Sequence, residues 1–442
     1  MILSATKINQ FNRNILWSVI IKAANISFVI LIVRRSIEIL GVEGYGIWTA
    51  ITSIATWISL LDIGIGNGLR KELRLCFINE DWRGAKKLMN TAYLFMGAFS
   101  LIVMVVFGVC WYNTDWAAFF NIQHYSLQHI NTIVLITFMG LLMQLVFSLI
   151  LPVLNANMHS GLIGIFPTIA NGLLLVYIYI VNSDTVHILQ YALLNAFLPV
   201  LAYLAFSLYY FMKYLPQLTP DFKETNFKAI GQLMLVSGKF FFIQISAVLM
   251  YQMTSFLIIR YFSPNDVTQY NVAFRYFNLF FIGFMTIMSP LWSSTTDAYL
   301  RGDLNWITQK IKQYVLIMAL VWVGIIVGYF LRAYAFHLWV RDVEISTKIC
   351  LYVALFTAIL SWNNIFLYII NGTGKIHLQF ILAIITTLIF FPLTHFLVKY
   401  LGFGIDGIFI SNVAILLMFS FFMPLQTYFL LKTNRQGIWR KS

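Results

Sequence analysis

The chain has 442 residues, 60% of them hydrophobic and only 10% charged, and its net charge is +13. No soluble core of this length needs so much apolar surface, which argues against a soluble domain. The basic residues are dispersed and no nucleic-acid reader motif accompanies them, so the charge is not a nucleic-acid footprint.

Apolar runs of about 18–24 residues recur along the whole chain. Each is long enough to cross a ~30 Å hydrocarbon layer as a helix. Twelve spans are predicted, at 15–33, 45–63, 91–111, 129–151, 162–181, 188–211, 237–260, 270–291, 313–332, 349–370, 378–398 and 406–430. Lipid cannot satisfy free backbone groups, so each run must be helical or sheltered by neighbours where it breaks. The expected fold class is therefore an all-α integral membrane protein of about 12 transmembrane helices. Pro167, Pro199 and Pro392 mark kinks within it. The first apolar stretch lacks a small-residue cleavage site and reads as an uncleaved first helix. Cys76, Cys110 and Cys350 show no metal or redox spacing and read as ordinary small apolar residues.

Charge orients these spans. Lys7, Arg13, six cations at 64–90, four at 213–239, three at 301–312, Lys375 and four in the tail make 20 on one side. The other side carries Arg34, Arg35, Arg260, Arg332, Arg341, Lys348 and Lys399, which make 7. That bias places both termini in the cytoplasm, and the net charge adds attraction to anionic lipid heads.

A weak two-fold repeat runs through the chain. Asn155-Ala156-Asn157-Met158-His159-Ser160-Gly161 after span four parallels Asn371-Gly372-Thr373-Gly374-Lys375-Ile376-His377, 216 residues later. Asp81-Trp82-Arg83 leading to Lys86-Lys87 parallels Asp303-Leu304-Asn305 leading to Gln309-Lys310, at an offset of 222. Two pseudo-symmetric six-helix lobes follow, at 1–212 and 237–442 with a basic tail, joined by a cytoplasmic linker at 213–236. Six is even, so the lobes share orientation, a transporter plan with the substrate between the halves.

Polar stripes mark the helices that would line such a site. Span one carries Asn14, Ser18, Lys22 and Asn25 on one face, and span two carries Thr49, Thr52, Thr56 and Ser59 with Asp62 near its end. Span seven carries Ser237, Gln244, Tyr251 and Ser255, and span eight carries Asn271, Arg275 and Asn278. Spans three and nine are nearly free of such stripes. For the neutral residues, hydrogen bonding between packed helices is the competing explanation. Lys22 and Arg275 are different, because a cation at the bilayer centre costs at least ~2.5–3.5 kcal/mol and such residues usually face a watery pathway. Snorkelling is their rival explanation, since the predicted spans leave each about 6–8 residues from a helix end. Facing one cavity, the two cations would suit an anionic ligand, above all a phosphate.

The segment Leu61-Asp62-Ile63-Gly64-Ile65-Gly66-Asn67-Gly68-Leu69-Arg70 has neither the strand nor the Lys-Ser/Thr of a nucleotide loop. It reads as a helix end where Gly64, Gly66 and Gly68 permit a hinge or a close backbone contact. Asp62 and Glu38, with Asp297 and Asp406, are candidates for ion coupling or gating only as acidic residues near helix ends. No metal-ligand cluster, nucleophile constellation or cofactor motif is legible, so neither cofactor nor metal is expected.

Together with Gly44-Tyr45-Gly46-Ile47-Trp48-Thr49, this segment resembles the N-terminal signature of Wzx-type polysaccharide flippases, in the multidrug/oligosaccharidyl-lipid/polysaccharide exporter superfamily. The resemblance implies a V-shaped bundle around a cavity lined by helices 1, 2, 7 and 8. It implies a transporter rather than an enzyme, flipping an undecaprenyl-diphosphate-linked glycan from the cytoplasmic to the periplasmic leaflet of the bacterial inner membrane for O-antigen or capsule assembly. Membrane lipids, a polysaccharide polymerase and a chain-length regulator would be its partners, with no nucleic acid. Flippases of lipid-linked precursors are similar in carrying cavity cations in helices 1 and 8, where Lys22 and Arg275 stand. Ser18, Asn25, Asn271, Asn278, Gln244 and Tyr251 complete the expected binding set. Two alternatives are a cation-coupled multidrug antiporter, for which Lys22 has the wrong sign, and a membrane glycosyltransferase or polymerase, for which the acidic motifs and large outer loops are missing.

Overall fold

The computed structural model describes residues 5–55, 65–122, 127–157, 159, 162–180, 188–221, 224–225, 243, 246, 253–288, 291–341, 343–432 and 437–440. The chain divides into two compact units, Met1–Phe241 and Phe242–Ser442. The first holds α1 (Ala5–Ala55), α2 (Ile65–Ile78), α3 (Trp82–Asn113), α4 (Trp116–Phe119), α5 (Leu127–Phe147), α6 (Ile150–Ala156), α7 (Ile165–Ile180) and α8 (Ile188–Lys213). The second has helical residues 253–261. These precede α9 (Pro264–Met288), α10 (Leu291–Leu300), α11 (Leu304–Trp339), α12 (Thr347–Thr373), α13 (His377–His395) and α14 (Asp406–Lys432).

Eight helices among the described residues have the length and apolar character to cross a membrane. They match predicted spans three, four, six and eight to twelve, and the fifth is the shorter apolar α7. The first two spans differ from expectation. They form one helical run whose non-helical residue is Gly41, with φ +71° and ψ 169°. Only glycine reaches that backbone region cheaply, so one residue turns a corner for which a longer loop is predicted. Residues 56–63 of span two and most of span seven lie outside the described residues.

The predicted cytoplasmic loop at 64–90 is largely helical. Leu69 and Leu73 of α2 are fully buried, with Cys76 and Phe77 packed beside them, an apolar i, i+4, i+7, i+8 stripe beneath a charged surface. In the second unit α10 follows α9, and its Leu291 and Ala298 enter that unit's core.

Lipid exposure follows the stripes. Helices α3 and α11, predicted spans three and nine, are each only 17% buried along their apolar windows. Leu101, Ile102, Val105, Leu316, Leu320 and Phe330 stand more than half exposed on them, the surface a hydrocarbon solvent requires.

Both units tie the connection after their fourth predicted span to their last helix. In unit 1 the Tyr210 hydroxyl of α8 accepts from Asn157 Nδ2 at 2.8 Å and meets His159 Nδ1 at 2.7 Å. In unit 2 Gln426 of α14 donates from Nε2 to the Lys375 carbonyl at 2.8 Å. Tyr210 and Gln426 stand 216 residues apart, the offset between the two loop sequences themselves.

Candidate functional site

Arg275 lies eleven residues after Pro264 and thirteen before Met288, at the middle of α9 and not near its end as the predicted span would have it. The helix begins earlier because Asp266 accepts from the Ser263 backbone N–H and hydroxyl, at 3.2 and 2.7 Å, and organises its first turn. From mid-helix, roughly 16 Å from the first residue, the guanidinium reaches an interface with difficulty. Arg275 is half-buried and makes no hydrogen bond or ion pair among the described residues.

Its stripe neighbours divide. Asn271 donates to the Val267 carbonyl at 2.9 Å and to Ser255 Oγ at 3.3 Å, joining α9 to the preceding helix. Asn278, one turn on, is half-buried and has no hydrogen-bond partner among the described residues. Arg275 and Asn278 therefore present unspent donors from one face. A guanidinium beside a carboxamide is suited to a phosphate or carboxylate acceptor.

Lys22 lies mid-way along the first stretch of α1, seventeen residues after Ala5 and nineteen before the Gly41 corner. It is exposed, with no partner among the described residues. Neighbouring positions hold α1 against α7. Asn25 Oδ1 accepts from Asn171 Nδ2 at 2.8 Å, and the Ile21 carbonyl accepts from Thr168 Oγ1 at 3.3 Å. Asn25 thus serves helix packing. Ser18 is in α1, but its side chain is outside the described residues, as are Gln244, Tyr251, Asp62 and Gly64 entirely.

The hydroxyls of span two turn inward. Thr49 bonds the Gly46 carbonyl at 3.0 Å, Thr52 that of Trp48 at 2.9 Å, and Ser53 that of Ala50 at 2.7 Å. Local backbone bonding satisfies these groups, as is common in lipid.

Glu38 is already engaged. Arg34 Nε and Arg35 Nη1 reach its two carboxylate oxygens at 3.1 and 3.0 Å, and Arg35 Nε also donates to the Ile178 carbonyl at 3.0 Å. Burial would raise its pKa, but the hydrogen bonds from Arg35 and Arg34 outweigh it and hold the carboxyl below the usual range. Gly66 and Gly68 are in α2, near its start and not in a loop, and Gly66 lines a cavity with Arg70 and Asn155.

One charged cluster escaped the sequence reading. Glu224 pairs with Arg83 at 2.6 Å and Lys87 at 3.0 Å, and Asp221 pairs with Lys86 at 2.7 Å. Asn90 Nδ2 adds bonds to Asp221 Oδ1 at 3.0 Å and to the Glu224 carbonyl at 3.1 Å. This clasp fastens the segment after α8 to α3. The signal was two acids in a basic linker, but nothing local says which cations they meet.

No family model matches the chain. It is 21% identical over 425 residues to a Salmonella typhi protein described as "Putative O-antigen transporter", covering 91% of this chain and 92% of that one. It is 22% identical over 440 residues to its Salmonella typhimurium namesake, covering 94% of each. The resemblance first read from residues 44–70 therefore extends along nearly the whole sequence.

Among solved structures, an inward-facing multidrug resistance MATE family transporter of the MOP superfamily aligns with a TM-score of 0.71 at 13% identity, covering 92% of this chain and 100% of that one. A Vibrio cholerae MATE transporter aligns with a TM-score of 0.65 at 14% identity, covering 98% of both. The chain has the MOP transporter fold, and both the sequence relatives and the structural neighbours are transporters rather than enzymes.

Proposed function

We propose that this membrane protein flips undecaprenyl-diphosphate-linked oligosaccharide from the cytoplasmic to the periplasmic leaflet of a bacterial inner membrane, by alternating access and without covalent chemistry. The observation that carries the reading is Arg275, half-buried at mid-helix beside Asn278, with neither side chain partnered among the described residues. A cation kept at that depth needs an anion to offset its desolvation, and a diphosphate supplies one. The guanidinium fork suits two phosphate oxygens, while the compact ammonium of Lys22 acts as a point charge on its own helix. The glycan would occupy the polar face while the prenyl tail stays in lipid.

The sequence relatives described as O-antigen transporters support this cargo over a drug. So does the sign of the mid-helix charge on α1, which would repel a cationic drug. Deleting the gene from its host tests the reading. Loss of surface polysaccharide with accumulation of the lipid-linked repeat unit is expected. Unchanged polysaccharide with increased drug sensitivity would overturn it in favour of the antiporter.

A further inference from the structure

Unit 1 contains a cavity of about 180 Å³ between α2 and the break that separates α5 from α6. Its walls are Gly66, Arg70, Ser148, Leu149, Leu151, Pro152 and Asn155. The break has a plain cause. Pro152 brings no N–H to the helix ladder, and the Ser148 carbonyl instead accepts from the Leu151 N–H at 2.9 Å.

Arg70 is the one charged residue in that wall. It is exposed and has no hydrogen-bond or ion-pair partner among the described residues, and the same holds for the half-buried Asn155 side chain. Ser148 spends its hydroxyl proton on the Leu145 carbonyl at 3.0 Å and is left as an acceptor. Arg74, one turn beyond Arg70 on the same face, donates to the Ala156 carbonyl at 3.1 Å and adds positive charge beside the cavity. The free groups are thus a guanidinium and a carboxamide, each with N–H donors to offer an anion.

The second unit shows what this corner looks like when filled. At the repeat offsets already established, Arg70 corresponds to Trp292 and Pro152 to Tyr368. Those two rings pack edge to face with centroids 6.0 Å apart. Gly372, which corresponds to Ala156, allows a still closer approach, since a Cβ there would lie 2.7 Å from Thr295 Cβ. One copy of the duplicated corner is closed by aromatic packing. The other keeps a cavity and lines it with a cation.

We propose that the corner of unit 1 is a phosphate-binding site, in which Arg70 and Asn155 hold a phosphoryl group on the side of the membrane assigned to the cytoplasm. The site is lined by residues other than Lys22 and Arg275 and does not depend on which cargo those carry. The phosphoryl group belongs either to an anionic lipid head or to a soluble phosphate.

Calorimetry on the purified full-length protein in zwitterionic detergent separates these, with inorganic pyrophosphate, short-chain phosphatidylglycerol and short-chain phosphatidylcholine as probes. Wild-type protein is expected to bind at least one of the two anionic probes and not the zwitterionic one. Arg70→Gln should weaken that binding roughly tenfold or more, the loss expected for one charge-assisted contact. Asn155→Leu should weaken it several-fold, and Lys312→Gln, an exposed cation of the other unit, should leave it unchanged. Binding of pyrophosphate alone assigns a soluble ligand, and binding of the lipid alone assigns a head group. No binding of either anion, or equal binding by Arg70→Gln, overturns the proposal and leaves the cavity a packing gap. If Arg70→Gln does not elute as folded protein, Asn155→Leu is read by the same two criteria.

Discussion

Asp81 and Asp303, 222 residues apart, cap equivalent helices in the same way. Asp81 has φ −82° and ψ 75° and accepts from the Gly84 N–H, while Asp303 has φ −82° and ψ 71° and accepts from the Trp306 N–H. Each follows a residue with positive φ, Glu80 at 56° and Gly302 at 75°. Each backbone N–H returns to a carbonyl five residues back, Cys76 or Ala298, at 2.9 Å. Matching turns at the repeat offset support an ancestral duplication of the two units.

Equal geometry predicts equal cost. Asp81→Ala and Asp303→Ala should each lose about 1 kcal/mol of helix-start stability, and Asp→Asn at either place should be tolerated. Thermal melting of the purified variants checks this. A large loss at one position with none at the other would mean the two turns are not equivalent.

Much of this was legible beforehand because membrane helices announce themselves by length and hydropathy. The repeat offsets, the bare faces of α3 and α11 and the presence of Lys22 and Arg275 within helices all rest on residue types alone, whereas the mid-helix depth of Arg275 emerged only from the earlier start of α9. Helix α2 was missed because Arg70, Lys71, Glu72 and Arg74 make a short amphipathic helix look like a charged loop. The Gly41 corner was missed because one residue does the work of a longer connection. The clasp at Asp221 and Glu224 joins residues more than 130 positions apart, and no local pattern encodes such a pairing.

Gly372 and Gly66 should behave differently when enlarged. Gly372→Val drives a side chain against Thr295 and the Trp292 carbonyl, 3.0 Å from the position of Cβ, and should lower the amount of folded protein. Gly66→Val should reduce transport while insertion and abundance stay near normal. Immunoblots of membranes alongside a polysaccharide assay separate the two, and normal transport by Gly66→Val would reduce that segment to a connector.

The linker clasp should respond to salt and not to physiological pH. Hydrogen bonds from Arg83 and Lys87 lower the Glu224 carboxyl to about 2. A depressed acid contributes its stabilisation above the ordinary carboxylate range and loses it only as pH falls towards the folded value. Amide exchange over residues 219–225, corrected for intrinsic rates, should therefore be constant from about pH 8 to 5.5. It should rise between ~0.05 and ~0.5 M salt, and Arg83→Ala should raise it at low salt. Salt-insensitive exchange would show that the ion pairs do not hold the linker.

Orientation has its own check. Reporter fusions after Lys87 and after Lys375 should read cytoplasmic, and fusions near Asn121 and Asp342 periplasmic. Two or more reversed signals would refute the twelve-span topology.

The proposed function rests on Arg275 and Lys22 each offering its charge to an anionic cargo, and complementation of the deletion strain tests it most directly. Surface polysaccharide should fall roughly tenfold or more with Arg275→Ala or Lys22→Ala, as loss of a charge-assisted bond of about 1.5–3 kcal/mol implies, while membrane protein levels stay normal. Lys22→Arg should keep more export than Lys22→Ala, and Arg275→Lys should fall short of wild type because it lacks the fork. Full export by both alanine variants at normal abundance would contradict the account, leaving two cations that bind nothing.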